Sequence, residues 1–133
     1  MSMLGGVHTL ELDECSSITD VSALGQVHDL DISSCLITDV SMLGSVHKLS
    51  LYDCPGITDV SALGRVHELR VGYCDITDVS MLGSVHKLTL CGCPRINDVS
   101  ALISRVYNLE ITGVNGITDV SMLGGIDKLS ITV

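Results

Sequence analysis

Apolar residues recur along this chain in one fixed rhythm. The phrase Val-His-x-Leu-x-Leu begins at Val7, Val27, Val46, Val66 and Val85, with weaker copies at Val106 and Ile126. Successive starts lie 20, 19, 20, 19, 21 and 20 residues apart. Within each phrase the apolar positions alternate, as in Leu10-x-Leu12, Leu30-x-Ile32 and Leu49-x-Leu51. A two-residue period sends one set of side chains to one face and predicts a short strand. Beyond each strand the apolar spacing opens to three, as in Ile57-x-x-Val60-x-x-Leu63. That spacing predicts a tight 3₁₀ or irregular return. Asp59 sits where its carboxylate caps the start of the return, and Gly64 is expected to give the freedom to swing into the next strand. A second period lies above the first. Ala23, Ala62 and Ala101 alternate with Met42, Met81 and Met122, which points to duplication of a two-repeat unit.

One such turn cannot bury its own leucines, whereas stacked turns bury a continuous core. The expected architecture is therefore a repeat solenoid with a parallel concave β-sheet of about seven strands. The convex side should carry turns and 3₁₀ segments with little α-helix. Residues 1–133 read as one domain of six full repeats plus partial terminal repeats, with no obvious caps. A parallel β-helix has coils of similar size, but it rarely keeps a leucine at the fourth place of every coil.

The repeated L-x-x-L-x-L-x-x-C pattern resembles the leucine-rich-repeat signature over essentially the whole chain. The Cys-x-x-Ile-Thr-Asp stretch is similar to the cysteine-containing repeats of F-box-type receptors. Ile-Thr-Asp-Val-Ser-x-Leu is similar to the internalin-like class. Both kinds of repeat are longer than those here. The resemblance implies a right-handed superhelix that binds proteins on its concave face, without the F-box or the cell-wall anchor.

Composition narrows the picture. Apolar residues make up 46% of the chain, yet there is no Phe or Trp, so the interior must be narrow and aliphatic. A formal charge of −9 argues against nucleic acid and anionic membrane surfaces, both of which demand a basic footprint. No apolar run approaches the roughly 18 residues of a membrane span, and the first residues do not resemble a signal peptide. The expected location is cytoplasmic.

Stacking turns each repeat position into a ladder. Cys15, Cys35, Cys54, Cys74 and Cys93 should point inward as small hydrophobes rather than form disulfides or a zinc site. His8, His28, His47, His67 and His86 precede the strands, on the rim of the concave face, and read as a solvated row of imidazoles. Asp20, Asp39, Asp59, Asp78, Asp98 and Asp119 read as turn caps in preference to a calcium ladder. No nucleophile elbow, phosphate loop or metalloprotease motif is present. The chain is thus expected to be non-enzymatic, with no cofactor and no metal.

Scaffold places keep their residue type from repeat to repeat, while the outward strand places change. Acids gather on the first rungs, including Glu11 and Asp31. Lys48 and Glu68 face each other across rungs. Tyr52, Arg70 and Tyr73 fall on adjacent rungs, and Tyr and Arg are enriched at interface hot spots. These seven residues form the candidate surface for a protein partner of unspecified identity. The alternative role is structural, with open ends stacking copies end to end as a homo-oligomer.

Overall fold

The computed structural model describes residues 8–96, 99, 102, 106–113 and 126–132. The strands are β1 (Thr9–Asp13), β2 (Asp29–Ser33), β3 (Lys48–Tyr52), β4 (Glu68–Gly72), β5 (Lys87–Cys91), β6 (Asn108–Thr112) and β7 (Lys128–Thr132). They form one seven-stranded sheet in sequence order, and each adjacent pair is parallel. Register follows the repeat place for place: Leu49 pairs with Leu69, and Leu69 with Leu88. Short 3₁₀ turns at Ser22–Leu24, Ser41–Leu43, Ser61–Leu63 and Ser80–Leu82 lie on the return side. The fold is a leucine-rich-repeat solenoid.

Repetition explains the core. Val27, Val46, Val66 and Val85 form one buried column, and Leu30, Leu49, Leu69 and Leu88 form the next. On the return, Ile37, Ile57 and Ile76 stack, as do Val40, Val60 and Val79. Leu24, Leu43, Leu63 and Leu82 close the loop at 0% exposure. An interior this narrow is filled by aliphatic side chains one turn deep, which is why the sequence dispenses with Phe and Trp.

The alternation of 19- and 20-residue spacings has a local cause. In the longer repeats a turn closes between cysteine and isoleucine, with Ile57 N–H donating to the Cys54 carbonyl at 3.1 Å and Ile18 N–H to Cys15 at 3.1 Å. In the shorter repeats a single residue spans the same gap, and Leu36 there is exposed. Either route keeps Cys35, Cys54, Ile37 and Ile57 buried, so the extra residue is absorbed outside the core.

The cysteine column is structural. All six cysteines are free, and Cys35, Cys54, Cys74 and Cys93 are buried, whereas Cys15 at the first rung is half-buried. Each buried thiol lies beside backbone carbonyls: Cys54 Sγ is 3.2 Å from the Tyr52 oxygen, and Cys74 Sγ is 3.3 Å from the Gly72 oxygen. Burial pushes the Cys74 thiol up to about 11, and burial also raises Cys54 and Cys93. Thiols held so strongly in the protonated form are poor nucleophiles.

The aspartates of the return cap their turns, as the sequence suggests. Val60 occupies the N-cap position, and Asp59 precedes it. The Asp59 carboxylate accepts the Ser61 backbone N–H at 2.9 Å, and Asp20, Asp39 and Asp78 accept from Ser22, Ser41 and Ser80 at the same distance. This is an Asx turn, in which the side chain mimics a backbone carbonyl. Asp98 and Asp119 lie outside the described residues. The Ser61 hydroxyl and then its N–H hold Asp59 below the ordinary 3.8, and Ser41 does the same for Asp39. At Asp20 the Ser22 N–H comes first and its hydroxyl second, while Coulombic repulsion from Asp39 works the other way. A depressed folded value stabilises the fold above the unfolded value near 3.9, and that contribution is lost as pH falls through the folded value. An Asp39→Asn, Asp59→Asn double variant should therefore lose less stability than the parent between pH 5 and 2 in urea titrations. Parallel profiles would remove the carboxylates from the acid response.

The turn glycines correct an expectation. Gly64 has φ −63° and ψ −15°, an ordinary right-handed conformation open to any residue. What forbids a side chain is proximity: a Cβ there would lie 2.4 Å from the Met81 carbonyl oxygen of the next turn. Gly25 and Gly44 meet Met42 and Ala62 oxygens at 2.6 Å in the same way. Positive φ occurs elsewhere, directly after the strands, at Glu14, Ser34, Asp53, Tyr73, Gly92 and Gly113. Each of these N–H groups donates to the last strand residue of the following rung, as Tyr73 does to the Cys91 carbonyl at 2.9 Å. The left-handed residue thus extends the ladder by one bond while turning the chain off the sheet.

Candidate functional site

The outward face of the sheet carries the positions that vary. Glu11 on β1, Asp31 on β2, Lys48 on β3 and Glu68 and Arg70 on β4 all line one open trough of about 400 Å³. Asp29, Lys87, Thr89 and Glu110 continue it across the sheet. Its floor is the run of outward strand places, and its charge changes along its length. Acids dominate over β1 and β2, while Lys48, Arg70 and Lys87 bring positive charge over β3 to β5. Lys48 and Glu68 approach to 3.6 Å while half exposed to solvent, a pairing that contributes a few tenths of a kcal/mol.

Tyr52 and Tyr73 do not line the trough. They stand at the C-terminal ends of the strands, Tyr52 as the last residue of β3 and Tyr73 just past β4. Arg70 joins the two regions: its Nη2 donates to the Tyr52 hydroxyl at 3.2 Å, and its guanidinium carbon lies 5.5 Å from the ring centre. A cation over an exposed aromatic face contributes about 0.5–1 kcal/mol. The two tyrosine rings are 6.3 Å apart and tilted by 47°. Tyr73 is 59% exposed although its backbone is left-handed, a conformation unfavourable for a bulky residue.

Each tyrosine lies over a glycine one repeat further on, at its own place in the repeat. A Cβ at Gly72 would lie 2.4 Å from the Tyr52 ring, and one at Gly92 would lie 2.5 Å from the Tyr73 ring. These glycines give the rings a flat bed. Sequence reasoning missed this partnership, although the signal is visible once the repeats are aligned: glycine follows tyrosine in the same column. Cys91 was also missed as a member of the cluster. Its half-exposed thiol lies 3.8 Å from the Tyr73 hydroxyl, and this contact is the first cause that raises the phenol above its ordinary value.

At the opposite edge the five histidines form a continuous stack. Ring centres from His8 through His86 are 4.5–4.7 Å apart, and Tyr107 extends the row at 4.9 Å with a 3° tilt. The backbone dictates the stack. His28 N–H donates to the His8 carbonyl at 3.0 Å, and His47, His67 and His86 repeat the bond to the histidine before. The whole row is exposed to solvent.

The fold places the chain beside proteins of known structure. It is similar to an internalin (inlF) from Listeria monocytogenes, with a TM-score of 0.72 and 23% identity over 96% of this chain and 41% of that one. It is similar also to an internalin C2 (inlC2) from the same organism, with a TM-score of 0.62 and 27% identity over 86% of this chain and 57% of that one. The chain thus spans less than two thirds of either protein. No protein-family model matches it, and no curated protein matches it in sequence. Among the described residues no helix is long and apolar enough to cross a membrane.

Proposed function

We propose that this chain is a non-catalytic protein-binding scaffold whose concave sheet face holds a segment of a partner protein. The observation that carries the reading is the trough. A constant aliphatic frame, buried to 0% at its central leucines, presents a row of outward residues that differ from rung to rung. A rigid frame with variable contact positions suits recognition, because little conformational entropy is lost when a partner docks. The likeness to internalins supports a leucine-rich-repeat interaction module.

The chemistry of the face describes the partner. Glu11, Asp29 and Asp31 attract a basic segment over β1 and β2 and speed its association. Tyr52, Arg70 and Tyr73 supply the anchors, since ring faces bedded on glycine bury area at low entropic cost. The free thiols fit a reducing compartment, in keeping with a cytoplasmic location.

Partner capture with the folded chain, followed by titration of the captured protein, tests the reading. Tyr73→Ala should weaken binding by about 2 kcal/mol or more, roughly thirtyfold, with the melting temperature maintained. Glu11→Gln with Asp31→Asn should slow association and flatten its dependence on salt. A partner whose affinity is indifferent to Tyr52, Arg70 and Tyr73 would move the site elsewhere on the sheet. Self-association that survives every change on this face would favour the structural role instead.

A further inference from the structure

The histidine row is regular, but its surroundings are not. Among the described residues His28 alone has a carboxylate against its ring: Asp29 Oδ1 lies 2.5 Å from His28 Nδ1. The corresponding acid on β4, Glu68, turns instead to Lys48 at 3.6 Å, and His47 and His86 are followed by lysines. A carboxylate only accepts, so this bond is donated by an N–H at His28 Nδ1, and Nε2 is the ring nitrogen left for a ligand. A carboxylate behind a histidine is the arrangement that orients an imidazole for a metal and raises its basicity.

His8 stacks on His28 at 4.5 Å with a 13° tilt, and His47 flanks the other side at 4.5 Å. Ligand atoms of His8, His28 and Asp29 all lie within 4.8 Å of one another. Two imidazole nitrogens on one tetrahedral ion stand about 3.3 Å apart, given metal–nitrogen bonds near 2.0–2.1 Å. Exposed rings reach that separation by small changes at χ1 and χ2, with the backbone ladder unchanged. The charge of the region agrees, since Glu11, Asp29 and Asp31 sit on the same two rungs. At the other end of the row Tyr107 replaces histidine and offers no ligand nitrogen.

We propose that His8 and His28, with Asp29 behind them, form a surface site for an imidazole-preferring divalent transition ion. Neutral imidazole suits nickel, zinc and copper, whereas magnesium and calcium prefer oxygen. The buried thiols of the core are directed away from this edge and do not contribute. Water fills the remaining coordination positions, so the ion stays open to a ligand from a partner.

Isothermal titration of the full chain with Ni²⁺, in buffer free of chelators, tests the site, because nickel discriminates against the thiols better than zinc does. One equivalent should bind. His28→Asn and His8→Asn should each weaken binding about tenfold or more, and Asp29→Asn by about 10–100-fold. His86→Asn, at the far end of the row, should leave the affinity unchanged. Circular dichroism melts of each variant without metal establish that the fold is retained. Affinity should also fall on acidification, because protons compete for the imidazoles. Binding that persists in His28→Asn, that His86→Asn reduces equally, or that excess Mg²⁺ displaces would overturn the proposal. So would the absence of measurable Ni²⁺ binding.

Discussion

Replacing Leu69 with alanine is expected to remove much of the stability of this protein. Leu69 is the central member of the fourth-place column, fully buried between Leu49 and Leu88. Truncation forfeits the transfer energy of the lost carbons and leaves a cavity. Here the cavity cannot collapse, because its walls are the rungs on either side, held apart by hydrogen-bonded strands. Large-to-small changes of this kind cost roughly 2–5 kcal/mol. Urea denaturation at neutral pH should show the midpoint falling accordingly. An unchanged midpoint would mean that the column is not the frame described above.

Gly64→Ala is the sharper experiment, because two physical arguments predict opposite signs. At φ −63° alanine is conformationally acceptable, and stiffening the unfolded chain alone would stabilise the protein by about 0.4–1 kcal/mol. Contact argues the reverse. The new methyl group would meet the Met81 carbonyl oxygen at 2.4 Å, and that oxygen belongs to the backbone of the next turn. Leu63 and Leu82, both at 0% exposure, sit against the same turns and resist separation. Overpacking of this sort costs about 1–3 kcal/mol, so the net effect should be destabilising. Equilibrium melts decide it: a rise in melting temperature would return the glycine to a purely conformational role.

The same glycine shows where sequence reasoning ends. The Val-His-x-Leu-x-Leu phrase was enough to place the strands, their parallel register and the inward columns, because each follows from a two-residue period repeated every 19 or 20 residues. The 3₁₀ returns followed from the change to a three-residue spacing. A glycine recurring from return to return, however, looks alike in sequence whether it is needed for a positive φ or for a close approach. Only coordinates separate the cases: Gly25, Gly44, Gly64 and Gly83 on the returns have ordinary dihedrals, while the left-handed places hold Glu14, Ser34, Asp53 and Tyr73 as well as Gly92 and Gly113. The candidate surface was legible as a set of varying outward positions. Its division into a charged trough and a separate tyrosine pair was not, because repeat arithmetic gives the face of a side chain but not how far it leans. The contact between Asp29 and His28 escaped for the same reason.

The bedding of each tyrosine on a glycine of the following repeat bears on how such an array can change length. Every strand pairs only with its immediate neighbours, so inserting or deleting whole repeats leaves the frame intact. Unequal crossing-over between near-identical repeats is the natural route to such changes. The tyrosine cluster does not share that freedom. Tyr52 needs Gly72 and Tyr73 needs Gly92, so each aromatic depends on a residue encoded in the next repeat. A recombinant that joins the tyrosine of one repeat to a successor bearing Ser33 or Thr112 at the place of Gly72 keeps its fold and loses the bed for the ring. Three consecutive repeats, β3 through β5, must therefore stay together for both rings to keep their beds.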